Sequence, residues 1–466
     1  MILSEALSTM MKSEMKRILD NIREKNESSH YNITMTFTNP SLPSYTLLVS
    51  REISDITISQ DFISNISDKI IVNLELSANM YEALYNARAN LMCELSFTPI
   101  DDGIAPIDDY TPSFCRQYRA ILLNLRDIYK SMSGARLKPS DVDPSIPKNP
   151  ATAEPTFPLK VELVDNDLYV ARHKRIHGIF GEVRMIDILR YVVAEFGFTK
   201  AYIATPDNDN LYTNFVIPPD FGIADIIGYL QTGPGMGIYR NGLCSYVTDG
   251  TWYIFPRYGD SVAKRVVQVY SLGNDTLVGL KKYTFTETLD DGDTCTHVLL
   301  NTPVAENNWS FLGTENSCNA ANMQALDRVM ISSKQLVEDD KFNMKPVITN
   351  MVVVPTDAVN ANEPVNMAYA PSMGNEFAIE SSLGAAQNTV VGFGIETCDP
   401  FIFTPNTEVK FNYDHVDGYR SVSCKCESVE YVYRRAPKNL YPIFIGGASH
   451  VTLMYNNYDA FADGNA

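Results

Sequence analysis

The order of predicted elements in residues 177–256 constrains the fold of this chain more than any other feature. Apolar residues recur at steps of three and four through 185–196, which predicts an amphipathic helix that ends at Gly197. Further along, two alternating runs flank the turn dipeptide Asp249-Gly250 within 244–255, which predicts a β-hairpin.

A second, shorter helix is expected between these two elements. The segment Ile217-Pro218-Pro219-Asp220 is interpreted as its opening, with Asp220 as the N-cap before an apolar stripe. Gly233-Pro234-Gly235 is expected to end it. The predicted order is therefore helix, loop, helix, hairpin.

Three short stretches of this block resemble the middle α/β domain of the baseplate hub proteins of tailed bacteriophages. They are Ile217-Pro218-Pro219, Tyr229-Leu230-Gln231 and Trp252-Tyr253-Ile254-Phe255-Pro256. We expect the residues that carry the resemblance to be architectural and not to bind a ligand. These residues are Ile217, Pro218, Pro219, Tyr229, Leu230, Trp252 and Pro256.

The resemblance implies an α+β multidomain fold in which two β-barrel-like tube domains flank the small α/β domain. It also implies a structural virion protein, assembled in the cytoplasm of the bacterial host, that forms a homotrimeric collar between the tail tube and the central spike. The implied partners are the tail tube protein and the spike protein, with the tape measure and other baseplate proteins as further candidates. DNA is expected to pass through the collar without specific binding.

The residues themselves suggest the same layout, because 466 residues exceed what one hydrophobic core usually serves. Residues 1–137 are predicted to form a helix followed by a first β domain, and 138–158 a proline-rich linker. Residues 159–256 are predicted to form the α/β domain and 257–466 a second β domain, with a long excursion at 301–405.

Two segments are candidates for contacts with other subunits. Met1 to Asn26 has an amphipathic pattern, for which packing on its own barrel is an equally good interpretation. The excursion at 301–405 is the second candidate, and within it Ala320 to Leu336 is expected to be helical.

The charge distribution excludes a protein that tracks nucleic acid. The net charge is −18, and acidic residues outnumber basic ones in all three predicted domains. The one dense basic spot, Arg172 to Arg175, is interpreted as a solvated surface, with an anionic partner as the alternative. If acidic side chains line a central channel, DNA phosphates are repelled by its wall and slide through.

Cysteine usage and hydropathy place further bounds on the chain. The eight cysteines are scattered without a signal peptide pattern, which predicts reduced thiols. No apolar run approaches the roughly 20 residues that would span a bilayer, so no membrane insertion is expected.

Three sets of potential metal ligands lack the required spacing. His173 and His177 lack the adjacent glutamate of a hydrolytic zinc motif, and Cys424 and Cys426 lack a second pair. The calcium-like start at 207–210 lacks the glycine and the glutamate that such a loop needs later. We therefore predict no metal and no cofactor.

Catalytic motifs are also missing. The glycine-rich run at 233–237 follows a helix and lacks a Lys-Ser/Thr pair, and Ser449 lacks the spacing of a nucleophile elbow. Asp290 and Asp291 are interpreted as turn residues. We predict a protein that is not an enzyme. Two alternatives remain: a receptor- or carbohydrate-binding tail protein that uses its 26 tyrosines for stacking, and a cell-wall-degrading tail enzyme.

Overall fold

A computed structural model gives the fold of the chain. The structure describes residues 13–23, 30–100, 112–123, 156–233, 235–257, 265–271, 282–289, 293–300, 304–307, 319–322, 328–338, 344–355, 367–368, 377, 388–405, 407–415, 418–436 and 442–456.

The described residues contain five helices, numbered here in chain order. They are α1 (13–23), α2 (Ala78–Ala87), α3 (Asn166–Ala171), α4 (Met185–Phe196) and α5 (Ile223–Thr232). None of the helices in this part of the chain combines the length and the apolar character needed to span a membrane.

Strands make up most of the fold. They are β1 (His30–Thr38), β2 (Thr46–Val49), β3 (Ile53–Asp61), β4 (Lys69–Leu76), β5 (Met92–Ile100), β6 (Phe114–Leu123), β7 (Phe157–Val164), β8 (Ile176–Phe180), β9 (Val183–Arg184), β10 (Lys200–Ile203), β11 (Leu211–Tyr212), β12 (Phe215–Phe221), β13 (Leu243–Thr248), β14 (Thr251–Pro256), β15 (Arg265–Ser271), β16 (Thr284–Thr288), β17 (Thr294–Leu300), β18 (Val304–Asn307), β19 (Asn319–Asn322), β20 (Arg328–Glu338), β21 (Met344–Pro355), β22 (Met367–Ala368), β23 (Asn388–Ile395), β24 (Glu408–His415), β25 (Gly418–Arg435) and β26 (Phe444–Asn456).

Eight antiparallel strands close into a ring in the order β25, β3, β4, β7, β6, β5, β1, β26. Strands β1, β3 and β4 of this ring alternate buried and more exposed residues, as a sheet with one face on a core requires. Tyr31, Phe97 and Tyr433 meet edge to face inside, with ring centroids 5.0–6.1 Å apart. The interior is therefore a packed core.

A second arc of strands continues from the same sheet, with β24, β15, β17 and β16 on one side of β25 and with β23 and β18 on the far side of β26. Residues 418–424 of β25 pair with β24, whereas 428–434 pair with β3. Likewise, β26 pairs first with β1 and then with β23. Two long strands thus run continuously through both β regions, which the sequence analysis treated as separate barrels.

The α/β region contains the three-stranded sheet β10-β14-β13, two short ribbons and helices α4 and α5. The predicted first helix is confirmed as α4, which ends at Gly197 with a left-handed φ of 89°. The predicted hairpin is confirmed as β13–β14, and Asp249 and Gly250 both have positive φ, as a tight hairpin turn requires.

The prediction that Ile217-Pro218-Pro219-Asp220 opens a helix is wrong. These residues lie in β12, which pairs with β8 and contains a bulge between Ile217 and Phe221. Asp220 has a φ of 74°, and Gly222 is the N-cap of α5. The helix stop at Gly233 is confirmed.

Two segments lie in other parts of the fold than the sequence boundaries suggest. Residues 157–164 were divided between the linker and the α/β domain, but they form β7, which closes the eight-stranded ring between β4 and β6. The N-terminal helix was grouped with the first β domain, but Ile18, Leu19 and Ile22 pack against β15, β16 and β17 of the second.

The helix predicted over Ala320 to Leu336 is also wrong, because β19 and β20 occupy this stretch and pair in a four-stranded sheet with β21 and β22. The excursion is shorter than predicted, since β18 and β23 return to the main sheet. Most of the linker (138–155), the turn residues 290–292 and the first residues of the N-terminal helix (1–12) lie outside the described residues.

Candidate functional site

The apolar residues that carry the sequence resemblance meet in the core of the α/β region. Ile217, Leu230 and Trp252 are at most 2% exposed and belong to one cluster. The indole ring packs against Phe196 and Phe198, and its Nε1 donates to Ser245 Oγ over 3.0 Å. Buried aromatic and aliphatic contacts of this kind stabilise the core of the α/β region.

The two prolines of the I-P-P segment lie on the outer side of this core. Pro218 is half-buried and Pro219 exposed, both in the bulged part of β12. Proline is tolerated there because a bulge interrupts the hydrogen-bond ladder. The strand then turns so that Phe221 packs on Tyr229, with ring centroids 4.3 Å apart.

Gln231 has a structural role that the sequence analysis missed. Its amide is buried, and Nε2 donates to the Tyr239 carbonyl over 2.8 Å. Its Oε1 accepts from the backbone N–H groups of Ile238 and Tyr239, each at 3.0 Å. The glutamine thus fixes the glycine-rich loop after α5. This role could have been predicted from the sequence, because Gln231 is a polar residue on the apolar face of α5, next to Leu230.

A buried carboxylate joins the α/β region to the eight-stranded ring. Asp68, just before β4, accepts hydrogen bonds from Gln60 Nε2 at 2.6 Å, Tyr246 OH at 2.8 Å and Thr248 Oγ1 at 2.7 Å. Burial raises the pKa of Asp68, although these three donors and Arg116 act in the opposite direction. Two of the donors come from β13, so this carboxylate fixes how the hairpin lies on the ring.

A second joint connects the end of β14 to β25. The carbonyl of Pro256 accepts from Lys425 Nζ at 3.2 Å, and Arg257 Nη2 lies 3.3 Å from Glu427 Oε1. Lys425 also lies over the ring of Phe255. Pro256 therefore terminates the hairpin where the chain reaches the strand that both β regions share.

Helix α1 is attached to the second β region by an ion pair. Both terminal nitrogens of Arg17 lie 3.0 Å from the carboxylate of Glu287. His297 Nε2 lies 2.9 Å from the same carboxylate, and its Nδ1 lies 3.3 Å from Tyr270 OH. Arg17 lowers the pKa of Glu287 to about 2. These described residues of α1 pack within their own chain, and the contact of this helix with another subunit stays a prediction.

The residues that the sequence suggested as potential metal ligands are exposed, buried in a strand or hydrogen-bonded to the backbone. His173 and His177 are exposed, and Cys424 and Cys426 are buried in β25. Asn208, from the calcium-like segment, donates to the Gly237 carbonyl over 2.7 Å. Among the described residues, no group of three or more His, Cys, Asp or Glu side chains could hold a metal ion.

The described residues considered for catalysis likewise make structural contacts. Ser449 Oγ donates to the Glu430 carbonyl over 3.1 Å across the β25–β26 ladder. In the glycine-rich run, Gly237 has a φ of 126° and donates its backbone N–H to the Leu230 carbonyl. Loop closure explains this run without a bound phosphate.

Comparisons of the sequence found no matching family model and no similar curated protein. Comparison of the fold found solved structures of low similarity. The 43 kDa tail protein of prophage MuSo2 from Shewanella oneidensis is 10% identical, with a TM-score of 0.42 over 90% of this chain and 95% of that one.

A tail protein from Neisseria meningitidis is 10% identical, with a TM-score of 0.43 over 91% of this chain and 97% of that one. A chain of the Francisella PdpA–VgrG complex is 10% identical, with a TM-score of 0.38 over 92% of this chain and 53% of that one.

Proposed function

We propose that this protein is a structural component of a phage tail, a baseplate hub that forms a trimeric collar between the tail tube and the central spike. The proposal has no role for catalysis, a metal or a cofactor. It keeps the four-part division into a first β domain, a linker, an α/β domain and a second β domain. In this division β7 now belongs to the first β domain and α1 to the second.

The observation that carries the proposal is the continuity of β25 and β26 through both β regions. At about 3.3 Å per residue, the 18 residues of β25 extend over roughly 60 Å. Strands that are shared in this way resist bending between the two regions, because the hydrogen-bond ladders would have to break. Two β regions that are rigidly coupled in this way are suited to a collar that connects one assembly above to another below.

The buried tyrosines favour this function over recognition of carbohydrate. Tyr31, Tyr246, Tyr270, Tyr431 and Tyr433 are among the largest fully buried side chains. Carbohydrate stacking requires exposed aromatic faces. These five rings serve the core instead.

The test is the mass and outline of the purified full-length chain, alone and with a tail tube or spike protein from the same tail. We expect about three times the monomer mass of 52.1 kDa and a ring with a central hole in electron micrographs. A compact monomer under both conditions would refute the collar. Release of soluble fragments from purified peptidoglycan would instead support the enzyme alternative.

A further inference from the structure

An open groove lies between helix α4 and the edge strand β10. Its volume is about 450 Å³, which is within the range of sites that bind small ligands or side chains. The helix contributes Ile186, Arg190, Val193 and Ala194 to its wall, and the strand contributes Ala201 and Ile203. None of the seven residues that carry the sequence resemblance lines this groove.

The strand wall of the groove presents unpaired backbone groups. β10 pairs with β14 on one side, and the next N–H, of Ala204, also donates to the Ile254 carbonyl on that side over 2.9 Å. Because successive residues of a strand direct their backbone groups to opposite sides, the N–H and C=O groups of Ala201 and Ile203 point away from β14. Within the described part of the chain, no strand pairs with that edge.

The charge of the groove indicates what kind of segment fits it. Arg190 is the one charged residue among the described residues that line it. Its side chain is 69% exposed, and Nη1 lies 3.8 Å from Asp187, which is too long for a hydrogen bond. The guanidinium therefore offers donors to a carboxylate from outside, in a chain whose net charge is −18.

We propose that this groove binds an extended acidic segment of a partner protein, which adds to β10 as a further strand. Backbone hydrogen bonds to Ala201 and Ile203 supply register, and small or branched apolar side chains of the segment enter the groove. A carboxylate of the segment pairs with Arg190. The proposal is independent of the collar, because it concerns a surface of the α/β region and not the oligomeric state.

The test uses the full chain and two displayed libraries of ten-residue peptides. Positions in both are drawn from Val, Ile, Thr and Ala, with Asp and Glu added in one library and Lys and Arg in the other. We expect the wild-type protein to enrich peptides from the acidic library only. No enrichment, or equal enrichment from both libraries, would overturn the proposal.

Matched variants locate the binding, with peptide affinity measured by fluorescence anisotropy. Ala201→Pro removes a free-edge N–H without touching the β14 ladder and should weaken binding at least about fivefold. Arg190→Glu should weaken it about tenfold or more, and Arg190→Lys much less.

A third disruptive variant, Ala194→Phe, obstructs the groove from the exposed helix wall and should abolish binding. Thermal unfolding of each variant establishes that the fold is retained, and Ala194→Phe keeps the test decisive if the proline variant does not fold. Enriched peptides that bind all three obstructed variants as well as they bind the wild type would show that they occupy another surface.

Discussion

The glycine pair Gly446-Gly447 lies where β26 passes from one β region to the other. Residues 444–445 pair with β1, and the pairing with β23 begins at Ala448. A Cβ on Gly446 would overlap the carbonyl oxygen of Val432 and lie 2.7 Å from Tyr433 Cα. Both obstacles are backbone atoms of β25, so neither can rotate away. We therefore predict that Gly446→Ala destabilises the connection between the two β regions.

The expected loss follows from three contributions. Overpacking against groups that cannot move costs about 1–3 kcal/mol. A ladder hydrogen bond broken by the shift costs about 1 kcal/mol more, and the lower chain entropy of alanine in the unfolded state returns less than about 1 kcal/mol. The net loss in the free energy of unfolding is about 1–4 kcal/mol, which at an m-value of about 3 kcal/mol/M corresponds to a fall of about 0.3–1.3 M in the urea midpoint.

The assay is urea unfolding followed by circular dichroism, with Gly392→Ala as the matched control. Gly392 also lies in a strand of the second β region, but a Cβ there would have His450 Cε1 as its nearest neighbour, at 3.8 Å. The control should stay within about 0.5 kcal/mol of the wild type. If both variants unfold at the same urea concentration, the close backbone approach at Gly446 does not constrain the fold and the reasoning is refuted.

Three further predictions concern separate parts of the molecule. Because Arg17 lowers the pKa of Glu287 from 4.5 to about 2, the carboxylate stabilises the fold above pH 4.5 and this contribution is lost as the pH falls towards 2. Between pH 5 and 2, the melting temperature of the wild type should therefore fall more steeply than that of Glu287→Gln. Equal pH profiles of the two proteins would contradict the stabilising ion pair between Arg17 and Glu287. Gln231→Leu leaves the N–H groups of Ile238 and Tyr239 without their acceptor and should cost about 2 kcal/mol; hydrogen exchange in 237–239 should then rise, and unaltered protection would argue against the assigned role. In a reconstruction of the assembled collar, the channel wall should be acidic, whereas a wall rich in Lys and Arg would refute the sliding hypothesis and leave the collar intact.

Local chemistry explains which elements could be predicted. Asp249-Gly250 predicted the β13–β14 hairpin because few other residue pairs adopt positive φ at both turn positions at low cost. The helix 185–196 was predictable because its apolar residues repeat with the helical period and Gly197 ends it in a left-handed conformation. Both signals are contained within a few neighbouring residues.

Predictions failed where distant partners decide the conformation. Ala320 to Leu336 is rich in residues that favour helices, yet β20 forms a ladder with the valine-rich β21. Asp220 has the chemistry of an N-cap, but pairing of β12 with β8 extends the strand past it and leaves Gly222 in that position. The edge of β10 beside α4 could not be predicted either, because an unpaired edge is defined by the arrangement of the whole sheet.

The amino-acid sequence by itself determined the α/β block, its hairpin and the acidic character of the chain, since period, turn residues and charge are properties of neighbouring residues. Only the tertiary structure decided that β7 belongs to the ring, that α1 packs on the second β region and that β25 and β26 join both regions. A strand carries the same alternating pattern whichever strand lies beside it. Its partners are chosen by packing between residues that are hundreds of positions apart.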